Sequence, residues 1–224
     1  MQPVQFGLWL QFVEEIRGHS LSYQVLTTLG GKLTEPERIP ERGVRFRLDQ
    51  DKVSIIWTPT YCFITSENVS DKKHHIDRIV SVLEIINRVA TIGKLSTRRF
   101  QTYWILPTPQ YDFVSLERKY RETMITQNEV TNAAYDSSTF FDIREDKWIL
   151  HHQSGAMEPQ QLQGSYLRFK LDNVPKTFIF LEATILDKNV IQYSKGETHS
   201  FMESSLERCV SHMKKFNQIW EKCL

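Results

Sequence analysis

The chain has 224 residues, 40% of them hydrophobic and 25% charged, the balance of a globular protein with a core to bury. Its 28 basic and 27 acidic side chains nearly cancel, so the basic excess that a phosphate backbone attracts is missing and nucleic acid is disfavoured as a partner. No apolar stretch approaches the roughly 20 residues that span a bilayer, and no membrane role is expected.

Met1-Gln2-Pro3-Val4-Gln5-Phe6 lacks a basic leader, so it reads as the start of a strand and not as a signal peptide. Val4, Phe6, Leu8, Leu10 and Phe12 take every second position, the period of a half-buried strand, and Trp9 is the exception on the intervening side. Ser20 to Leu29 reads as a short helix closed by Gly30-Gly31. Thr34 to Glu41 reads as a polar, proline-bearing loop.

Val44 to Leu48 and Val53 to Phe63 form a predicted hairpin around Asp49-Gln50-Asp51-Lys52. Pro59 interrupts its second strand and marks an edge or a bulge, because proline cannot donate to the ladder. The period then changes. Ile76, Ile79, Leu83, Ile86 and Ala90 recur at alternating three and four residues, giving a helix with one buried stripe, Ser70 as its N-cap and Gly93 at its end.

Arg98 to Leu106 alternates again and stops at Pro107 and Pro109. Asp112 caps a helix through Met124, and Thr126 to Ser138 is polar and weakly patterned. Phe140-Phe141 and Trp148-Ile149-Leu150 suggest a hairpin around Arg144-Glu145-Asp146-Lys147; Tyr166 to Leu171 and Thr177 to Leu186 suggest another. In the last helix, from about Thr198, Met202, Leu206, Cys209, Met213, Phe216, Trp220 and Cys223 form an unbroken seam. Packing of that seam on the sheet is expected, with dimerisation through it as the alternative.

Arg45-Phe46-Arg47-Leu48-Asp49-Gln50 recurs as Arg168-Phe169-Lys170-Leu171-Asp172-Asn173. The repeat predicts an α+β protein of two related units, residues 1–95 and 96–224, each an antiparallel sheet covered by helices, with a long C-terminal helix. Phe46, Leu48, Phe169 and Leu171 then face the helix-covered cores. Arg45, Arg47, Arg168 and Lys170 face outward, and form a basic strip if both hairpins join one sheet.

The chemistry-bearing patterns are few. No Gly-rich phosphate loop, nucleophile elbow, zinc-protease motif or C-x-x-C occurs, which leans against an enzyme and calls for no cofactor. Cys209 and Cys223 lie on one predicted helix, roughly 21 Å apart at about 1.5 Å per residue, too far to bridge. With Cys62 they read as reduced, buried thiols of a cytoplasmic protein. His199, Glu203 and Glu207 recur every four residues and could hold a metal, but they lie off the apolar seam and read as a solvated face; no metal is expected. His74-His75 and His151-His152 are adjacent pairs whose members point apart, so neither chelates one ion. Arg99, Gln101 and Tyr103 share one strand face, beside Arg98 and Trp104. They are the candidate ligand-binding residues, able to line a pocket for an acidic or aromatic ligand, against the plainer reading of an outer face with one stacked arginine.

The run from Asp51-Lys52-Val53-Ser54-Ile55-Ile56-Trp57 through Arg88-Val89-Ala90-Thr91-Ile92-Gly93 to the Arg98 strand resembles a sporadically distributed, uncharacterised prokaryotic family of about 220–270 residues. Phe178 to Ile185 and the helix to Phe216-Asn217-Gln218-Ile219-Trp220 are similar to that family's ending, while Tyr103-Trp104-Ile105 stands where its aromatic-asparagine signature belongs. The resemblance implies no catalytic residues. The ending is also similar to helix-grip ligand carriers, which are not built from two equivalent halves. The sequence therefore reads as a non-enzymatic binding or protein-interaction module, with a homodimer or protein partner in view. The alternative is a small-molecule-binding protein or enzyme with a pocket between sheet and helix.

Overall fold

The period-two segments assemble into one ten-stranded antiparallel sheet in the computed structural model, which describes residues 1–16, 37–39, 43–125, 128, 137–145 and 147–222. The strands are β1 (Gln2–Phe12), β2 (Glu37–Ile39), β3 (Gly43–Leu48), β4 (Val53–Trp57), β5 (Tyr61–Glu67), β6 (Lys94–Pro107), β7 (Ser138–Glu145), β8 (Trp148–Met157), β9 (Phe178–Asp187) and β10 (Ile191–Gln192). Their order is β2-β3-β4-β5-β1-β6-β9-β8-β7, with β10 pairing the start of β6. β1 and β6 lie side by side at the centre, and each half runs outward from its central strand. Among the described residues the helices are α1 (Lys72–Ala90), α2 (Phe113–Met124), α3 (Pro159–Ser165) and α4 (Lys195–Lys222). The fold is α+β, with a long C-terminal helix, and among the described residues no helix is long and apolar enough to cross a membrane.

Pairing register sends every second side chain to one face. Leu8 pairs Ile64 of β5 and Phe100 of β6, and it shares one core cluster with Phe6, Leu10 and Phe12; Val4, beyond a register shift between Pro3 and Gln5, joins a separate cluster. α1 buries Ile76, Ile79, Leu83 and Ile86 over this half, and α4 reaches it with Met202. Cys209, Met213, Phe216 and Trp220 of α4 cover the other half with Leu116 and Tyr120 of α2, over Trp104, Ile179, Leu181 and Ile185. From Met202 to Trp220 the seam of α4 thus packs within the chain; Cys223, its last predicted member, lies outside the described residues. Burial of a large apolar side chain contributes about 1.5–3 kcal/mol, so the residues that α1, α2 and α4 bury on this face stabilise the fold strongly.

Several local boundaries differ from the sequence reading. Val53 to Phe63 is two strands: Pro59 lies in a tight turn whose Thr58 hydroxyl accepts from the N–H groups of Thr60 and Tyr61, so the chain reverses instead of bulging. Glu37–Ile39, read as loop, is an edge strand because β3 offers it a ladder partner. Asp71, not Ser70, caps α1, accepting from the N–H groups of Lys73 and His74. α1 ends at Thr91, in the left-handed region at φ 51°, where Asn87 Oδ1 accepts the Ile92 N–H; the helix stops before Gly93 is reached. The predicted Ser20 to Leu29 helix and most of the Thr126 to Ser138 segment lie outside the described residues.

The largest correction concerns the second copy of the repeated hexapeptide. Tyr166 to Leu171 is not a strand. It follows α3 as a strap lying over the sheet face opposite α1, α2 and α4, where Leu167 and Leu171 join Tyr103, Ile105, Phe178 and Phe180 in a separate apolar cluster. Phe46 and Leu48 do face the helix-covered core, but Leu171 faces this other cluster, and Phe169 lies beneath Arg47 and Lys52 at 5.0 and 5.5 Å from its ring centre. No basic strip of paired hairpins arises, because the strap does not enter the ladder and Arg45 pairs with Glu37.

Candidate functional site

On the sheet face opposite the three large helices, β1, β4, β5, β6, β7, β8 and β9 contribute to a cleft of about 560 Å³, within the usual range of small-molecule sites. Its arrangement follows from strand order. The floor is β6 and β9, which present Arg99, Gln101, Glu182 and Thr184. One wall rises from β1, β5 and β4 with Trp9, Phe63, Tyr61 and Ile56; the opposite wall rises from β8 and β7 with His151 and Phe140. Among the described residues the lining is strand side chains alone, and this cleft does not lie between sheet and helix, where the sequence reading places it.

Trp9 anchors the first wall, its ring centre 5.0 Å from Tyr61 and 6.4 Å from Phe63. Gly7 makes room there: a Cβ at this position would come within 2.9 Å of Phe63 Cε2. The Arg99 guanidinium carbon sits 4.5 Å over the Trp9 ring, a stacked arrangement that leaves the fork's N–H edges free to meet an anion. Among the described residues Arg99 has no carboxylate partner, whereas Arg98, pointing to the helix side, is paired with Asp187 and lies over Phe201. The buried Trp9 Nε1 also lacks an acceptor among the described residues.

At the other end of the floor, Gln101 Nε2 donates to Glu182 Oε1 at 2.7 Å and Thr184 Oγ1 donates to the same oxygen at 3.1 Å. Both donors fix the carboxylate through one oxygen and leave the second as an acceptor. Tyr103 is buried at this end, edge-on to Phe180 and Tyr166, and burial together with the Glu182 charge holds its phenol protonated well above the usual tyrosine range. On the far wall the His151 ring lies parallel to Phe140, and its Nδ1 is tied to Asp142 Oδ1. An imidazole held through Nδ1 has its Nε2 left for a further hydrogen bond.

All three sequence candidates, Arg99, Gln101 and Tyr103, therefore line one cleft. The residues missed were Trp9, Ile56, Tyr61, Phe63, Phe140, His151, Glu182 and Thr184. Trp9 carried a signal, as the one large apolar side chain on the polar side of β1. The others become neighbours only through pairings between distant strands.

The remaining candidates are absorbed elsewhere. His199 bridges α4 to α1, bonding Asp77 at 2.9 Å and Glu203 at 3.2 Å, and among the described residues no group of three ligands could hold a metal ion. His75 turns inward to Ser66 Oγ at 2.7 Å, while His74 bonds Arg78. His152 points away from its neighbour His151 into the helix side, where a chain runs from the half-buried His212 through the buried His152 and Ser154 to Tyr120.

The cleft thus joins a mixed polar floor, two aromatic walls and an arginine that, among the described residues, has no carboxylate partner. Compared with known proteins, the chain matches no family model and no curated protein.

Proposed function

We propose that this protein is a non-enzymatic binding protein that takes a small organic ligand on the sheet face away from its long helices. The observation that carries the reading is the 560 Å³ cleft with polar floor and aromatic walls, since flat π-faces at both sides favour a planar apolar body and the floor supplies orientation. In this reading the chain works in the cytoplasm, which its two buried free thiols, Cys62 and Cys209, support. It consists of two related units meeting at β1 and β6, and the likeness to the uncharacterised prokaryotic family belongs to the same reading. The test is a thermal-shift screen with aromatic acids, nucleosides and divalent metals, because a ligand that binds only the native state raises the midpoint. Planar aromatic compounds should raise it, and Phe63→Ala should remove the response; no response to any aromatic compound would sink the reading.

A second reading, a homodimer or protein partner, is favoured by β7. This edge strand exposes Phe140, Phe141 and Ile143 at 68%, 37% and 38%, a surface that sheet proteins normally guard. Light scattering tests it, and a monomer at high concentration would overturn self-association.

A further inference from the structure

The cleft's two ends differ in charge, and this difference narrows the ligand. Arg99 and Tyr103 are four residues apart on β6, and Tyr103 pairs with Glu182 of β9. At about 3.4 Å per residue the two ends are roughly 14 Å apart along the backbone. Between them lie Gln101 and Thr184, whose side-chain donors are both turned to Glu182. The middle of the floor is therefore occupied with its own hydrogen bonds, while among the described residues Arg99 at one end and the second oxygen of Glu182 at the other have unused capacity.

We infer that the cleft takes an elongated aromatic acid: its ring system between the Trp9–Phe63 wall and the Phe140–His151 wall, its anionic group at Arg99, and a hydroxyl or ammonium donor at Glu182. This rests on the binding reading above and specifies its ligand class. The stacked guanidinium favours a carboxylate or similar planar anion, because its free N–H edges match two oxygens at once. Trp9 adds a reason for an acceptor at that end, since its buried indole N–H has no partner among the described residues. A ligand bearing two anionic ends is disfavoured by Glu182, and a neutral hydrocarbon leaves both ends unsatisfied.

Isothermal titration at low salt with three related probes tests it: 6-hydroxy-2-naphthoate, 6-hydroxy-2-naphthamide and 2-naphthoate. The hydroxy acid should bind most tightly. The neutral amide should be weaker by about tenfold, the order expected for loss of one charge-assisted bond, and that gap should close in Arg99→Gln and shrink with added salt. The acid lacking the hydroxyl should be weaker by several-fold, on the same grounds, and this second gap should close in Glu182→Ala. Equal affinity of the wild-type protein for all three probes overturns the inference while the binding cleft stands; no binding of any probe overturns both. The comparison on the wild-type protein decides the matter even if a variant fails to fold.

Discussion

Glu67 shows how one polar residue can organise a segment without secondary structure. It is buried at the end of β5, and its carboxylate accepts the backbone N–H groups of Arg168 at 3.0 and 3.1 Å and of Phe169 at 2.8 Å. Burial still holds the carboxyl above the ordinary range, against the pull of those donors and of Arg168 and Arg47. Removing it in Glu67→Ala would strand two N–H groups, and a loss of about 1–3 kcal/mol is expected in urea unfolding, with faster proteolysis within 166–171. His152 gives a pH effect of definite sign. Burial first, and then His212, lowers its pKa to about 3, and burial also lowers His75 to about 4. The unfolded chain takes up these protons below about pH 6.5 and the folded chain does not, so their stabilisation is complete above that pH and is lost as pH falls toward 3–4. At pH 5 each histidine should cost about 2 kcal/mol relative to pH 7.5. His152→Gln should flatten that acid limb when denaturation is followed at both pH values; an unchanged slope would refute the assignment.

Among the elements, β1 and α4 carry the architecture. β1 serves both faces: Phe6, Leu8 and Leu10 lie in the core, while Gly7 and Trp9 shape the cleft. Gly7→Ala should push the Phe63 ring aside, because the new Cβ would sit 3.2 Å from Cζ as well as 2.9 Å from Cε2. The expected result is modest destabilisation, about 1–3 kcal/mol, with weaker aromatic binding in the titration described above. α4 depends on its seam. Trp220 is buried against Tyr120 at 6.3 Å between ring centres, and Trp220→Ala should lower stability by about 3–5 kcal/mol without changing the cleft on the other face. The alternation of β1 and the three-four spacing of α4 made both elements legible in the sequence, because each records contact with a single buried face. The strap was misread for a related reason. Arg168 to Leu171 has a strand's alternation, yet it is held by Glu67 and apolar contacts instead of a ladder.

For the whole molecule, one sheet separates two chemistries: an apolar face sealed by α1, α2 and α4, and an opposite face with the strap at one end and the cleft beside it. Cys62 and Cys209 belong to the sealed side, where burial pushes both thiols up, Cys209 to about 12. Neither should react with a thiol reagent in the native protein, and both should label on global unfolding; rapid native labelling of either would contradict the packing of the helices against the sheet. The sequence by itself was enough for the mixed class, the central strands, the long helices and the shared face of Arg99, Gln101 and Tyr103, since these depend on residues a few positions apart. It could not tell that the two halves join at β1 and β6, that the repeated hexapeptide serves as strand in one place and strap in another, or that Trp9, Phe140 and Glu182 meet in one cleft. Those outcomes depend on which strands pair and in which register, and pairing is settled by burial over the whole chain, where local propensity has no say.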